Sequence, residues 1–150
     1  MRELDDFAGR WALERRIEDR RAGQVLRLEG RVTLAPTAGG LDVAEEGRLQ
    51  LPDGTSLAAV RRYRWHRAGP VIAVDFDDGR PFHQFDPAVP RALAEHFCGA
   101  DSYRVTYDFT AWPRWTVTWQ VGGPRKNYVS ESRLAFEGAC TGTLPERRLA

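Results

Sequence analysis

Residues 103–121 read YRVTYDFTAWPRWTVTWQV, and the period of this stretch decides the fold. Tyr103, Val105, Tyr107 and Phe109 fall on one side of an extended chain, and Trp115, Val117, Trp119 and Val121 on one side of the next. The polar residues between them, Arg104, Thr106 and Asp108, then Thr116, Thr118 and Gln120, complete an alternation with period two. That is the period of a half-buried strand. Trp112-Pro113 falls between the two runs and reads as a turn.

The same period extends outward in both directions. Trp11, Leu13 and Ile17 alternate with polar residues, and Ala22-Gly23 gives a tight turn. Leu26, Leu28, Val32 and Leu34 continue the pattern, with a bulge or bend expected at Gly30. Leu41 to Leu51 is a further strand, and Pro52-Asp53-Gly54 a hairpin turn in which Pro presets φ and Gly accepts a positive one. Leu57, Ala59, Arg61, Tyr63 and Trp65 share a face. Val71 to Phe76, Pro81 to Phe85 and Tyr128 to Phe136 read as strands, and Pro87 to Phe97 as the single short helix. The pattern predicts an all-β fold, a single antiparallel up-and-down barrel of about nine or ten strands with one short helix. A barrel of that size is wide enough to hold a small ligand.

The chain has 150 residues, of which 42% are hydrophobic and 29% charged, a length that suits one domain over 1–150. Residues 139–150 read as a loose tail. Basic and acidic residues nearly cancel, leaving a net charge of +1. Such a chain carries no global field for nucleic acid or an anionic membrane, and neither is expected as a partner. All the basic residues except Lys126 are arginine. No run approaches the roughly 18 apolar residues of a transmembrane helix. Met1 to Arg10 lacks the apolar stretch of a signal peptide, so a cytoplasmic protein is expected. Cys98 and Cys140 are too few for a disulfide framework and read as thiols. The oligomeric state is left open, a homodimer included.

Phe7-Ala8-Gly9-Arg10-Trp11, just before the first strand, resembles the Gly-x-Trp opening of the calycin superfamily, which includes lipocalins and fatty-acid-binding proteins. That resemblance implies that Trp11 plugs the closed end of the barrel. It also implies that an arginine near the last strand, here Arg133, lies over the ring in a cation–π contact. Asp101-Ser102-Tyr103, with Tyr107 after it, is similar to the Thr-Asp-Tyr corner of lipocalins, with Ala100 in place of the Thr. The segments Arg61-Arg62-Tyr63-Arg64-Trp65, Asp78-Gly79-Arg80-Pro81-Phe82-His83, His96-Phe97-Cys98 and Gly123-Pro124-Arg125-Lys126-Asn127-Tyr128 carry a wider resemblance. It is to an uncharacterised bacterial family with a calycin-like barrel, over about Phe7 to Phe136. It implies the fold and assigns no activity.

Polar side chains on apolar faces are the candidates for function. Arg61 shares its face with Leu57, Ala59, Tyr63 and Trp65, and Arg15 with Trp11, Leu13 and Ile17. A buried arginine must pair, or must meet a ligand carboxylate or phosphate. Fatty-acid-binding barrels hold a carboxylate with an inward Arg and Tyr, and the resemblance makes Arg61, Tyr63 and Tyr128 analogous. The alternative is a structural bridge from Arg61 to Asp75 or Asp77. His83 follows a tight turn and can point into the cavity mouth, where an imidazole of ordinary pKa would serve as general acid or base. His83, His96 and Cys98 carry metal-ligand chemistry, but the spacing His96-x-Cys98 does not bring them together, and no metal is predicted. Haem needs one axial imidazole, for which His66, His83 and His96 are the candidates; no cofactor is predicted.

These readings converge on a cytoplasmic barrel that binds a small hydrophobic or amphipathic molecule, partly apolar and carrying an anionic group. Arg61, Tyr63, His83, Tyr107, Trp119 and Tyr128 are expected to line its cavity. Two alternatives stay open. One is an isomerase, cyclase or lyase on the same barrel that uses His83 as acid or base. The other is a filled barrel that serves as an interaction domain. The sequence contains no Gly-x-Ser-x-Gly, no phosphate-binding glycine loop and no dinucleotide fingerprint.

Overall fold

A computed structural model describes residues 2–140. The expected loose tail at 139–150 therefore lies outside the described residues except for Ala139 and Cys140. Ten antiparallel strands follow one another: β1 (Gly9–Asp19), β2 (Gln24–Thr37), β3 (Gly40–Gln50), β4 (Ser56–Ala68), β5 (Val71–Phe76), β6 (Pro81–Phe85), β7 (Arg91–Cys98), β8 (Asp101–Asp108), β9 (Trp115–Gly123) and β10 (Lys126–Gly138). They form one sheet in the order β6-β5-β4-β3-β2-β1-β10-β9-β8-β7. Strands adjacent in sequence pair with one another, except β6 with β7, and β1 also pairs with β10. The sheet curls into a nearly closed up-and-down barrel whose two ends, β6 and β7, meet at a seam. A short 3-10 turn, Leu4–Phe7, precedes β1. Among the described residues no helix is long and apolar enough to cross a membrane.

The helix expected over Pro87 to Phe97 does not form; most of that segment is β7. Pro90 pushes Val89 out of the helical region. From Arg91 the segment pairs with β8, setting Ala92 against Tyr107, Ala94 against Val105 and His96 against Tyr103. Small inward residues thus make room for the large rings opposite. Leu93 and Phe97, whose i, i+4 spacing suggested a helical face, point outward and are 67% and 68% exposed. The apolar pair was read with the wrong period.

Gly30 and Gly47 are opposite one another on β2 and β3, and the register runs through them unbroken. There is no bulge. A Cβ on Gly30 would lie 2.0 Å from the carbonyl oxygen of Glu46. These glycines let two backbones approach where any side chain would hold them apart. The inward parity of β2 and β3 is therefore kept along their whole length, and the residues that line the interior follow from it.

Phe7 closes one end of the barrel. Its ring is fully buried and meets Trp65, Phe85, Phe109, Trp112 and Trp115 edge-on, with centroids 5.1 to 6.1 Å away. Trp11, 1% exposed, packs beside Trp112 and Trp115 and donates its indole N–H to the carbonyl of Phe7 at 2.9 Å. Gly9 has φ of +132°, and a Cβ there would strike the ring of Phe136. The Gly-x-Trp spacing thus has a local cause: the glycine admits the turn that drops the tryptophan into the core.

Arg133 does not cover Trp11. It alternates outward from Leu134 and Ser132, is exposed, and donates to Glu131 at 3.1 Å. The cation at the closed end is Arg2, whose guanidinium lies 4.6 Å from the centroid of Phe109 and 5.7 Å from that of Trp112. Arg2 also donates to the carbonyls of Pro87 and Val89, which ties the N-terminal segment across that end. The cation–π role expected from the last strand is filled from the N-terminus.

Candidate functional site

The far end of the barrel is open, and a cavity of about 330 Å³ extends inward from it. That is near the lower end of the size of small-molecule sites, roughly 300–1,000 Å³. Leu13, Val43, Val74, Trp65, Trp115 and Leu134 make an apolar floor against the aromatic plug. All six of the expected residues, Arg61, Tyr63, His83, Tyr107, Trp119 and Tyr128, line the cavity. They reach it from β4, β6, β8, β9 and β10 because each lies at an inward parity.

A polar band runs around the middle. Arg15 donates to both carboxylate oxygens of Glu45, at 2.5 and 2.9 Å, and its Nε donates to the hydroxyl of Ser132 at 2.8 Å. Only 11% and 14% of the two charged side chains remain exposed, so the pair is largely withdrawn from water. This bidentate geometry fixes both groups. Arg61 stands opposite Glu45 in the β3–β4 register but forms no salt bridge among the described residues. Arg61 lines the cavity and is also exposed to solvent. Burial works to lower its pKa, but the oxygens of Tyr63, Glu45 and Tyr128 outweigh that and hold the guanidinium firmly charged. Arg15 and Glu45 pair with each other, while Arg61 and Asp19, which also lines the cavity, form no salt bridge among the described residues.

Burial raises the pKa of both Tyr63 and Tyr128, with Arg61 working in the opposite direction on each. Both phenols therefore keep their protons at neutral pH and can donate a hydrogen bond beside the guanidinium. The bridge from Arg61 to Asp75 or Asp77 is not formed. Asp75 instead lies 3.0 Å from Nε2 of His66, which is half-exposed.

His83 lies deep in the wall, 8% exposed, with Nε2 only 2.6 Å from the hydroxyl of Tyr107. Desolvation, and then the nearby His96, push its pKa down to about 3. Burial pushes the Tyr107 phenol far up. The imidazole is therefore neutral at physiological pH, where the sequence suggested ordinary titration. His83 Nδ1 and the indole nitrogen of Trp115 are buried without a hydrogen-bond partner among the described residues.

Several lining residues escaped the sequence reading. Phe82 stacks on Trp119 with ring centroids 5.1 Å apart and planes 5° from parallel, and on Phe76 at 4.3 Å. The edge of His96 meets Phe82 across the seam at 5.1 Å. Glu45 could have been found by the test that found Arg61, since it shares an inward face with Leu41 and Val43. At the rim, Lys126 donates to the hydroxyl of Tyr103 at 2.6 Å and pairs with Asp101 at 3.3 Å. Cys98 is exposed on β7, away from His83. Among the described residues no group of three or more His, Cys, Asp or Glu could hold a metal ion.

A small, open-ended cavity with Arg61 set among tyrosines, inside a ten-stranded up-and-down barrel, defines the class of fold and site. The chain belongs to a family of unknown function, DUF6314, whose model matches residues 7–135. The S-type phycobiliprotein lyase CPES from Guillardia theta has a similar fold. It is 8% identical, with a TM-score of 0.63, and the likeness covers 91% of this chain and 92% of that one. A redesigned β barrel, mFAP1, bound to DFHBI, is 15% identical with a TM-score of 0.44 over 89% of this chain and 98% of that one. No curated protein matches the chain.

Proposed function

We propose that this protein is a calycin-like carrier or receptor for a small amphipathic molecule with an anionic group. Arg61 holds the anion, Tyr63 and Tyr128 donate to it, and the apolar part lies toward the floor against Trp119, Val43 and Leu134. The observation that carries this reading is the state of Arg61: charged, facing a cavity of about 330 Å³, and without a salt bridge among the described residues. An anionic ligand pairs with Arg61 in geometry suited to a planar guanidinium. The lyase of similar fold, named for phycobiliproteins, supports small-molecule chemistry on such a barrel by analogy of fold alone.

The enzyme reading is less favoured. An imidazole with a pKa of about 3, held against Tyr107, does not serve as a proton donor at neutral pH. A filled barrel is disfavoured by the cavity itself.

The test compares the mass of the native protein with that of the denatured chain. The native form of the parent is expected to carry one small ligand of a few hundred daltons, and Arg61→Gln is expected to lose it. A parent with no excess mass that also takes up no octanoate would overturn the reading.

A further inference from the structure

Two residues of the deep cavity lining, His83 in the wall and Trp115 in the floor, carry buried nitrogens with no hydrogen-bond partner among the described residues, Nδ1 and Nε1 respectively. The position of the His83 proton follows from counting donors. The only hydrogen-bond partner of the Tyr107 hydroxyl among the described residues is His83 Nε2, at 2.6 Å. If Nε2 carried the proton, both the phenol hydrogen and the Nδ1 lone pair would be unused. If Tyr107 donates to Nε2, one group alone is unused, the Nδ1–H. Buried polar groups are rarely left unpaired, so the second arrangement holds. Trp115 Nε1–H is a donor in every case. The deep lining therefore holds two neutral N–H donors with no acceptor for either among the described residues.

We infer that the deep end of the cavity is a second polar subsite, where His83 and Trp115 donate to a neutral acceptor oxygen on the far end of the ligand. The inference rests on the reading of Arg61 as the anion anchor and extends it to the class of ligand: an amphipathic anion with a carbonyl-type oxygen remote from the charged group. A carbonyl suits the site because it accepts two hydrogen bonds and brings no charge into a region where burial keeps even an imidazole neutral. Arg61 and Trp65 stand four residues apart on β4, which is roughly 13 Å of strand at about 3.3 Å per residue. The ring of Trp65 meets Trp115 with centroids 6.3 Å apart. His83 and Trp115 both line the cavity, but the two nitrogens are covered, so the rings over them must turn aside to admit the acceptor. Phe82 and Trp119 flank the His83 ring at 4.7 and 5.2 Å.

The experiment is calorimetric titration of the parent, His83→Phe and Trp115→Phe with two matched probes, octanoate and 7-oxooctanoate. Thermal unfolding checks that each variant is folded. The oxo acid is expected to bind the parent about tenfold more tightly, although it is the more water-soluble of the two, because a site built to donate discriminates against a ligand that cannot accept. The preference is expected to fall below about threefold in either folded variant. Equal binding of the two acids by the parent, or a preference for octanoate, overturns the inference. If both acids bind through Arg61 without preference, this inference fails and the anion reading stands. If neither binds, both fail. A preference that survives in both folded variants also overturns the assignment to His83 and Trp115.

Discussion

The Nε2 of His83 lies 2.6 Å from the hydroxyl of Tyr107, and both side chains are buried in the wall of the cavity. The contact joins β6 to β8 across the one place where the barrel is not closed by a ladder. It holds a neutral imidazole and a neutral phenol together, and stability must depend on pH through it.

The pKa of His83 falls from an ordinary value of 6.5 when unfolded to about 3 when folded. Between these values the unfolded chain binds a proton that the folded one does not. Stability is therefore full above pH 6.5 and is lost as pH falls toward 3. The slope for this one group approaches about 1.4 kcal/mol per pH unit. Denaturant unfolding at pH 7 and pH 5 should show a larger loss for the parent than for His83→Gln, by on the order of 2 kcal/mol. Equal losses would show that His83 titrates normally in the folded protein.

Gly30→Ala should be among the most damaging small substitutions in the chain. The added carbon would lie 2.0 Å from the carbonyl of Glu46, in backbone that cannot swing aside. A loss of roughly 2–4 kcal/mol is expected from forced separation of β2 and β3. Gly39→Ala, at a turn with nothing within 4 Å, should change stability by less than about 0.5 kcal/mol. Denaturant midpoints of the two variants check the contrast.

Arg15 and Glu45 should behave as a unit. Removing either leaves a charge largely withdrawn from water, at a cost of about 2–4 kcal/mol. The double variant Arg15→Met, Glu45→Leu keeps volume and leaves no orphaned charge, so it should be more stable than either Arg15→Met or Glu45→Leu alone. A double-mutant cycle with no coupling would mean that the bidentate contact contributes nothing.

Strand period and inward parity were legible in the sequence because a two-sided sheet leaves a direct mark on the chain. The shared faces of Arg61 with Tyr63, of Tyr107 with Tyr103 and of Trp119 with Trp115 carry that mark, whereas the cavity role of Arg61, Tyr63 and Tyr128 comes from the resemblance to fatty-acid-binding barrels. β7 lacks the mark, because its inward residues are Ala92, Ala94 and His96, and its large apolar residues point outward. Small inward side chains are chosen by the rings opposite them on β8, which local periodicity does not register. The partner of Arg15 was equally hidden. Its pairing with Glu45 joins strands that are not neighbours in the sheet, so only the curvature of the barrel brings the two together. Arg133 was carried over from a resemblance, and its outward parity on β10 argued against that role. The neutral state of His83 depends on burial from several strands at once.

The most direct test of the account is the affinity of the parent and of Arg61→Gln for octanoate and for octanol, measured by calorimetry. A charge-assisted contact contributes about 1.5–3 kcal/mol, so Arg61→Gln should bind octanoate at least about tenfold more weakly. Its affinity for octanol should change by less than about threefold, since the apolar cavity remains. Octanoate binding that is saturable and unaffected by Arg61→Gln, or that weakens no more than octanol binding does, would contradict the assignment of Arg61 as the anion anchor.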